Sequence, residues 1–145
     1  MCRILTIFLA VLFVGSQVKA EMPTTRVTPE NIDKLDVSFT IKMTKQTGGD
    51  QVRITLTVDP RTEKYSRIGQ PGLYLYLGKK RIGQVALYKE GLNNPKTHVY
   101  WCDIDKDCLE SSSISVVCYP LEPKEKQELC VQSMEYLIDL KEQWK

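Results

Sequence analysis

The chain predicts an all-β fold: an antiparallel β-sandwich of immunoglobulin-like size, with about seven strands behind an N-terminal signal peptide. Three observations carry that expectation. Two neighbouring segments alternate apolar and polar residues with a period of two, the mark of strands with one buried face. Clusters of Gly, Pro, Asn and Lys interrupt the chain at short intervals, as in sheets built from hairpins. The first twenty residues form a module with chemistry of its own.

That module comes first in the chain. Arg3 supplies a positive start, residues 4–14 are apolar apart from Thr6, and Val18-Lys19-Ala20 sets small residues at a cleavage site. Charged, then apolar, then small is the layout of a secretory signal. The apolar run is about half the ~20 residues that a membrane span needs, so no permanent membrane anchor is expected. Glu21 follows the cut where a bacterial lipoprotein needs cysteine. The expected organisation is a signal peptide at 1–20, a flexible entry segment at 21–35 and a single sandwich domain at 36–145, secreted or periplasmic. Removing twenty of 145 residues leaves 125, within the range of one domain that buries roughly two thirds of its unfolded surface. Arg3 and Lys19 leave with the signal and no acid does, so the mature chain carries eighteen basic against eighteen acidic residues. A neutral chain gives no basic footprint for nucleic acid.

Within the entry segment, Thr28-Pro29-Glu30 suits one helical turn, with a cap and a proline at the first helical position. Val37, Phe39, Ile41 and Met43 then alternate with Ser38, Thr40 and Lys42, and Val52, Ile54, Leu56 and Val58 repeat the pattern. Residues 46–50 between them are turn chemistry, so the pair predicts a hairpin. Residues 60–72 read as a loop crossing between sheets. Residues 73–77 and 81–88 form a second hairpin, and residues 97–104 and 113–119 are β-branched and aromatic strands joined by a short helical turn within 105–112. Helix propensity is high from Lys124 onwards, yet Met134, Tyr136, Ile138 and Leu140 alternate. A final strand is the adopted reading, because a sheet gains more from one added strand than from one isolated helix.

Four cysteines remain after the signal: Cys102, Cys108, Cys118 and Cys130. Their spacing lacks the paired ligands of a zinc site, and export favours disulfides. Four cysteines allow three pairings. A turn centred near Lys124 would set Cys118 opposite Cys130, leaving Cys102 to close a small loop with Cys108.

Catalytic chemistry finds little footing. His98 is the only histidine and shares the parity of Tyr100 and Cys102, as an ordinary strand residue would. No G-x-S-x-G, phosphate loop or dinucleotide fingerprint is present, and no enzyme activity or cofactor is expected. Asp103, Asp105 and Asp107 match the first three ligands of a calcium loop, but Cys108 and Ile114 stand where that loop needs Gly and Glu. The commoner use of such a cluster is as turn and helix cap. Tyr74 and Tyr76 alternate with Leu73, Leu75 and Leu77, so leucines in the core leave two tyrosines outside, suited to a protein or glycan partner. A three-residue turn at 78–80 gives that outward face; a two-residue turn at Lys79-Lys80 would bury it. The expected function is an exported, non-catalytic binding or structural module. The alternative is a small secreted inhibitor or effector that presents a loop closed by Cys102 and Cys108.

Overall fold

The computed structural model describes residues 22–62, 64–91, 98–120 and 133–143. Residues 1–20 and Cys130 lie outside them. In chain order the strands are β1 (Thr24–Val27), β2 (Val37–Lys45), β3 (Gln51–Pro60), β4 (Tyr65–Ile68), β5 (Gly72–Leu77), β6 (Lys80–Ala86), β7 (Tyr88–Lys89), β8 (Val99–Asp105), β9 (Ser112–Pro120) and β10 (Met134–Asp139). They form the two sheets of an all-β sandwich. One runs β1-β10-β9-β5-β6 with β4 also on β9, and the other runs β2-β3-β8-β7.

Alternation explains the sandwich. Val37 and Phe39 of β2, the even residues Val52 to Val58 of β3, and Tyr100, Cys102 and Ile104 of β8 turn inward from one sheet. Leu73, Ile114, Val116, Cys118, Tyr136 and Ile138 meet them from the other. The first predicted hairpin pairs in register from Val37↔Pro60 to Lys45↔Val52. The helical turn expected between β8 and β9 is a 3₁₀ segment, Lys106–Ser111.

The second hairpin reaches the expected face by another route. Its turn is Gly78-Lys79, with Leu77 opposite Lys80, and Gly78 takes φ +62°, which suits glycine at the first central position of a hairpin turn. A bulge between Leu75 and Tyr76 then restores the register, so that Leu73 faces Val85 and Tyr74 faces Gln84. The additional residue sits in the strand rather than in the turn. Leu73 therefore stays in the core and Tyr74 outside, while Leu75 is partly buried and Leu77, expected in the core, is 72% exposed at the hairpin's end.

Three short strands fall where the sequence suggests loop or continuous strand. Part of the entry segment, β1, lies parallel on β10 and buries Val27. Part of the 60–72 loop, β4, pairs with β9 and buries Tyr65 and Ile68. There Gly69 runs against the neighbouring strand: its N–H donates to the Val117 carbonyl at 2.7 Å, and a Cβ would lie 3.1 Å from the Tyr119 ring. Beyond Leu87 the chain leaves one sheet for the other, so the predicted 81–88 strand is β6 and the start of β7. At the C-terminus the strand reading holds for β10, and a single helical turn, Leu140–Gln143, follows.

Candidate functional site

Two surfaces gather side chains with binding chemistry. The first is the outer face of the larger sheet, where Tyr74 and Tyr76 lie half-buried. The Arg81 guanidinium stacks 4.7 Å from the Tyr74 ring centroid, across the hairpin. Tyr76 lines a cleft of about 410 Å³ with Arg26, Glu110, Ser113, Asp139 and Lys141. The cleft's central groups are already engaged. Asp139 forms an ion pair with Arg26 and accepts a hydrogen bond from Ser113, while Glu135 accepts from Thr24 at 2.8 Å and from Ser115. These bonds knit β1, β10 and β9, which explains two serines buried on an outer face.

The second surface is the outer face of the four-stranded sheet. Trp101 on β8 stands between Tyr88 of β7, its direct cross-strand partner, and Arg53 of β3. The Tyr88 and Trp101 ring centroids are 5.1 Å apart, and the Arg53 guanidinium carbon lies 4.3 Å from the Trp101 centroid. Two 2.8 Å hydrogen bonds, from Nε and Nη2, fix Arg53 on the Asp103 carboxylate. The fork holds Asp103 below the usual carboxylate range and raises Arg53 above its own. Tyr88 is 63% exposed at the end of this ladder. Alternation alone places Arg53 and Trp101 on outer faces. Their adjacency, and Tyr88 beside them, depends on strand order and on the switch of sheets at Leu87, which have no local signal.

The three aspartates are not brought together as ligands. Asp103 and Asp105 share the outer parity of β8, but Asp103 is committed to Arg53 and Asp107 lies in the 3₁₀ segment. Among the described residues no group of three or more His, Cys, Asp or Glu side chains gathers to hold a metal ion. Asp105 occupies the N-cap of the 3₁₀ segment, without a side-chain capping bond.

Cys102, Cys108 and Cys118 are free thiols, so the expected Cys102–Cys108 bridge is corrected; Cys130, the expected partner of Cys118, lies outside the described residues. From Cys102 the strand runs extended to Asp105, carrying the chain roughly 10 Å before it turns, against the ~5.5 Å Cα separation of a disulfide. Cys102 and Cys118 point into the core, and burial pushes their thiols up to about 11 and about 12. Both are poor nucleophiles in the folded state.

His98 sits at the start of β8 with its Nδ1 buried and without a hydrogen-bond partner. Burial, then the charge of Lys89, lowers its pKa, against a weaker opposing pull from Asp59. The folded state therefore favours neutral imidazole. The stability this contributes is present above the unfolded value near 6.5 and is lost as pH falls through the lower folded value. The melting temperature should drop as pH falls below about 6.5, and His98→Gln should flatten that part of the curve. A wild-type profile equally flat there would show that His98 is as well solvated in the fold as out of it.

No protein-family model matches the chain, and no curated protein or solved structure matches it.

Proposed function

We propose that this protein is an exported, non-catalytic binding module that holds a protein or glycan partner on the outer face of its four-stranded sheet. The observation that carries the reading is the ladder of Tyr88, Trp101 and Arg53. Tyrosine, tryptophan and arginine dominate the energetics of protein recognition, and aromatic faces also take the apolar sides of sugar rings. Here they stand on regular strands, and the bidentate grip of Asp103 fixes Arg53, so little side-chain freedom remains to be lost on docking. The inhibitor alternative draws no support from Cys102 and Cys108, which are free.

The test is capture of the partner from the native medium or envelope by immobilised mature protein. Tyr88→Ala and Trp101→Ala should each weaken capture by roughly 30-fold, the cost of a hot-spot side chain. Tyr88→Ala should leave the melting temperature nearly unchanged, because Tyr88 is 63% exposed. If both variants capture normally and Tyr74→Ala/Tyr76→Ala does not, the binding face is the cleft of the larger sheet. Mass spectrometry of exported material should find Glu21 at its N-terminus; an intact Met1 would overturn the export reading.

A further inference from the structure

Between the two sheets, on the flank formed by β4 with β7 and β8, lies a cavity of about 460 Å³ lined by Ile68, Gln70, Tyr88, Lys89 and Tyr100. Its volume falls within the range of small-molecule sites. Lys89 and Tyr100 are direct cross-strand partners, so their side chains share the inner face of the four-stranded sheet. Tyr100 is 3% exposed, yet its hydroxyl makes no hydrogen bond among the described residues. Among the described residues His98 Nδ1 is the one buried side-chain polar atom without a partner, so the Tyr100 hydroxyl opens onto accessible space and is free to meet a ligand. Lys89 is half-buried, and among the described residues no carboxylate lies within ion-pairing distance of it. Ile68 supplies an apolar wall, and Gln70 is fixed by donating its Nε2 to the Leu87 carbonyl at 3.1 Å. Among the described residues no acidic side chain lines the space.

A half-buried ammonium, a hydroxyl without a partner and an apolar wall describe the ligand by complement. We propose that this flank binds a small amphiphilic carboxylate: a compact apolar body against Ile68, its anionic head on the Lys89 ammonium and one oxygen accepting from the Tyr100 hydroxyl. One cation and one hydroxyl match a singly charged head, whereas a phosphate dianion would leave charge uncompensated in a half-buried site. The cavity shares Tyr88 with the partner face, but its test needs no partner and its variants at Lys89 and Tyr100 leave the Tyr88, Trp101 and Arg53 side chains in place, so the two readings fail separately.

The experiment is titration of ¹⁵N-labelled mature protein with phenylacetate, hexanoate and the neutral isostere phenylacetamide, followed by amide chemical shifts. Saturable shifts at Ile68, Gln70 and Lys89 are expected with both anions, and phenylacetamide should bind about tenfold more weakly or worse. Lys89→Gln should weaken phenylacetate by about tenfold and abolish its advantage over the amide. Tyr100→Phe keeps the ring and should weaken it by roughly threefold to tenfold. Lys34→Gln, the same charge change on the exposed 3₁₀ turn Ile32–Lys34, should leave binding unaltered. Absence of saturable shifts with both anions, equal binding of acid and amide, or an unchanged Kd in Lys89→Gln would overturn the proposal. Lys89 would then be an inward charge that keeps a short edge strand from pairing with other chains.

Discussion

A chain stopped before Met134 is expected to lose its cooperative melt. The truncation removes β10, which lies between β1 and β9 and pairs with both, in parallel from Thr24↔Glu135 to Val27↔Ile138 and antiparallel from Met134↔Cys118 to Asp139↔Ser113. It also removes the buried side chains of Tyr136, Ile138 and Leu140. Cutting one large buried side chain back to alanine costs about 2–5 kcal/mol. Losing three together, with the ladder hydrogen bonds of two strand pairs, exceeds or matches the ~5–15 kcal/mol by which a domain is stable. Far-UV circular dichroism of the truncated chain should show no sigmoidal transition. A transition within a few degrees of wild type would mean that the sandwich closes without β10, and that the other strands of its sheet form the core by themselves.

Tyr136 should divide sharply into ring and hydroxyl. The ring is 3% exposed and packs 5.3 Å from Phe39 and 6.5 Å, edge to face, from Tyr65. Its hydroxyl lies 3.4 Å from that of Tyr65, a long contact between two buried phenols. Burial first, and this contact second, pushes Tyr136 far above the ordinary tyrosine range, so its hydroxyl is neutral at any working pH. Tyr136→Ala should cost about 3–5 kcal/mol through the cavity it leaves. Tyr136→Phe keeps the ring and should cost about 1 kcal/mol, chiefly by stranding the Tyr65 hydroxyl. Denaturant melts of the two variants measure the difference. If Phe proves as costly as Ala, the hydroxyl pair that ties β4 to β10 within the larger sheet, rather than the ring packed on Phe39 of the other sheet, carries the stability at this level.

The candidate sites show where local reading succeeds and where it stops. Tyr74 was legible as outward-facing only on one of two possible turns, the one that sets Leu73 opposite Val85. The closing device was not legible: a turn of two residues plus a bulge gives the same register as a turn of three. Arg53 and Trp101 each announced an outer face through the parity of their own strands. Nothing local announced that β3 and β8 are neighbours, or that Tyr88 crosses to join them, so the ladder emerged only from sheet order. Lys89 is harder still. A lysine at a strand end reads as solvated, and only its pairing with the buried Tyr100 reveals that it faces inward.

By itself the sequence determined that this is a sheet protein, and where most of its strands begin and turn, because period-two alternation and glycine-rich breaks act within a few residues. It also determined which side chains of β2 and β3 face the core. The tertiary structure decided the rest. β1 and β4 are too short to carry a pattern and become strands only because β10 and β9 offer them free edges. The segment around Tyr136 could satisfy either period, and the buried face waiting beside Val116 selected the strand. The cysteines were even in number and suited to bridges, but the extended run from Cys102 to Asp105 carries Cys102 away from Cys108 and leaves that pair as thiols. Each of these outcomes depends on neighbours distant in the chain, and a local pattern carries no information about which distant edge it will meet.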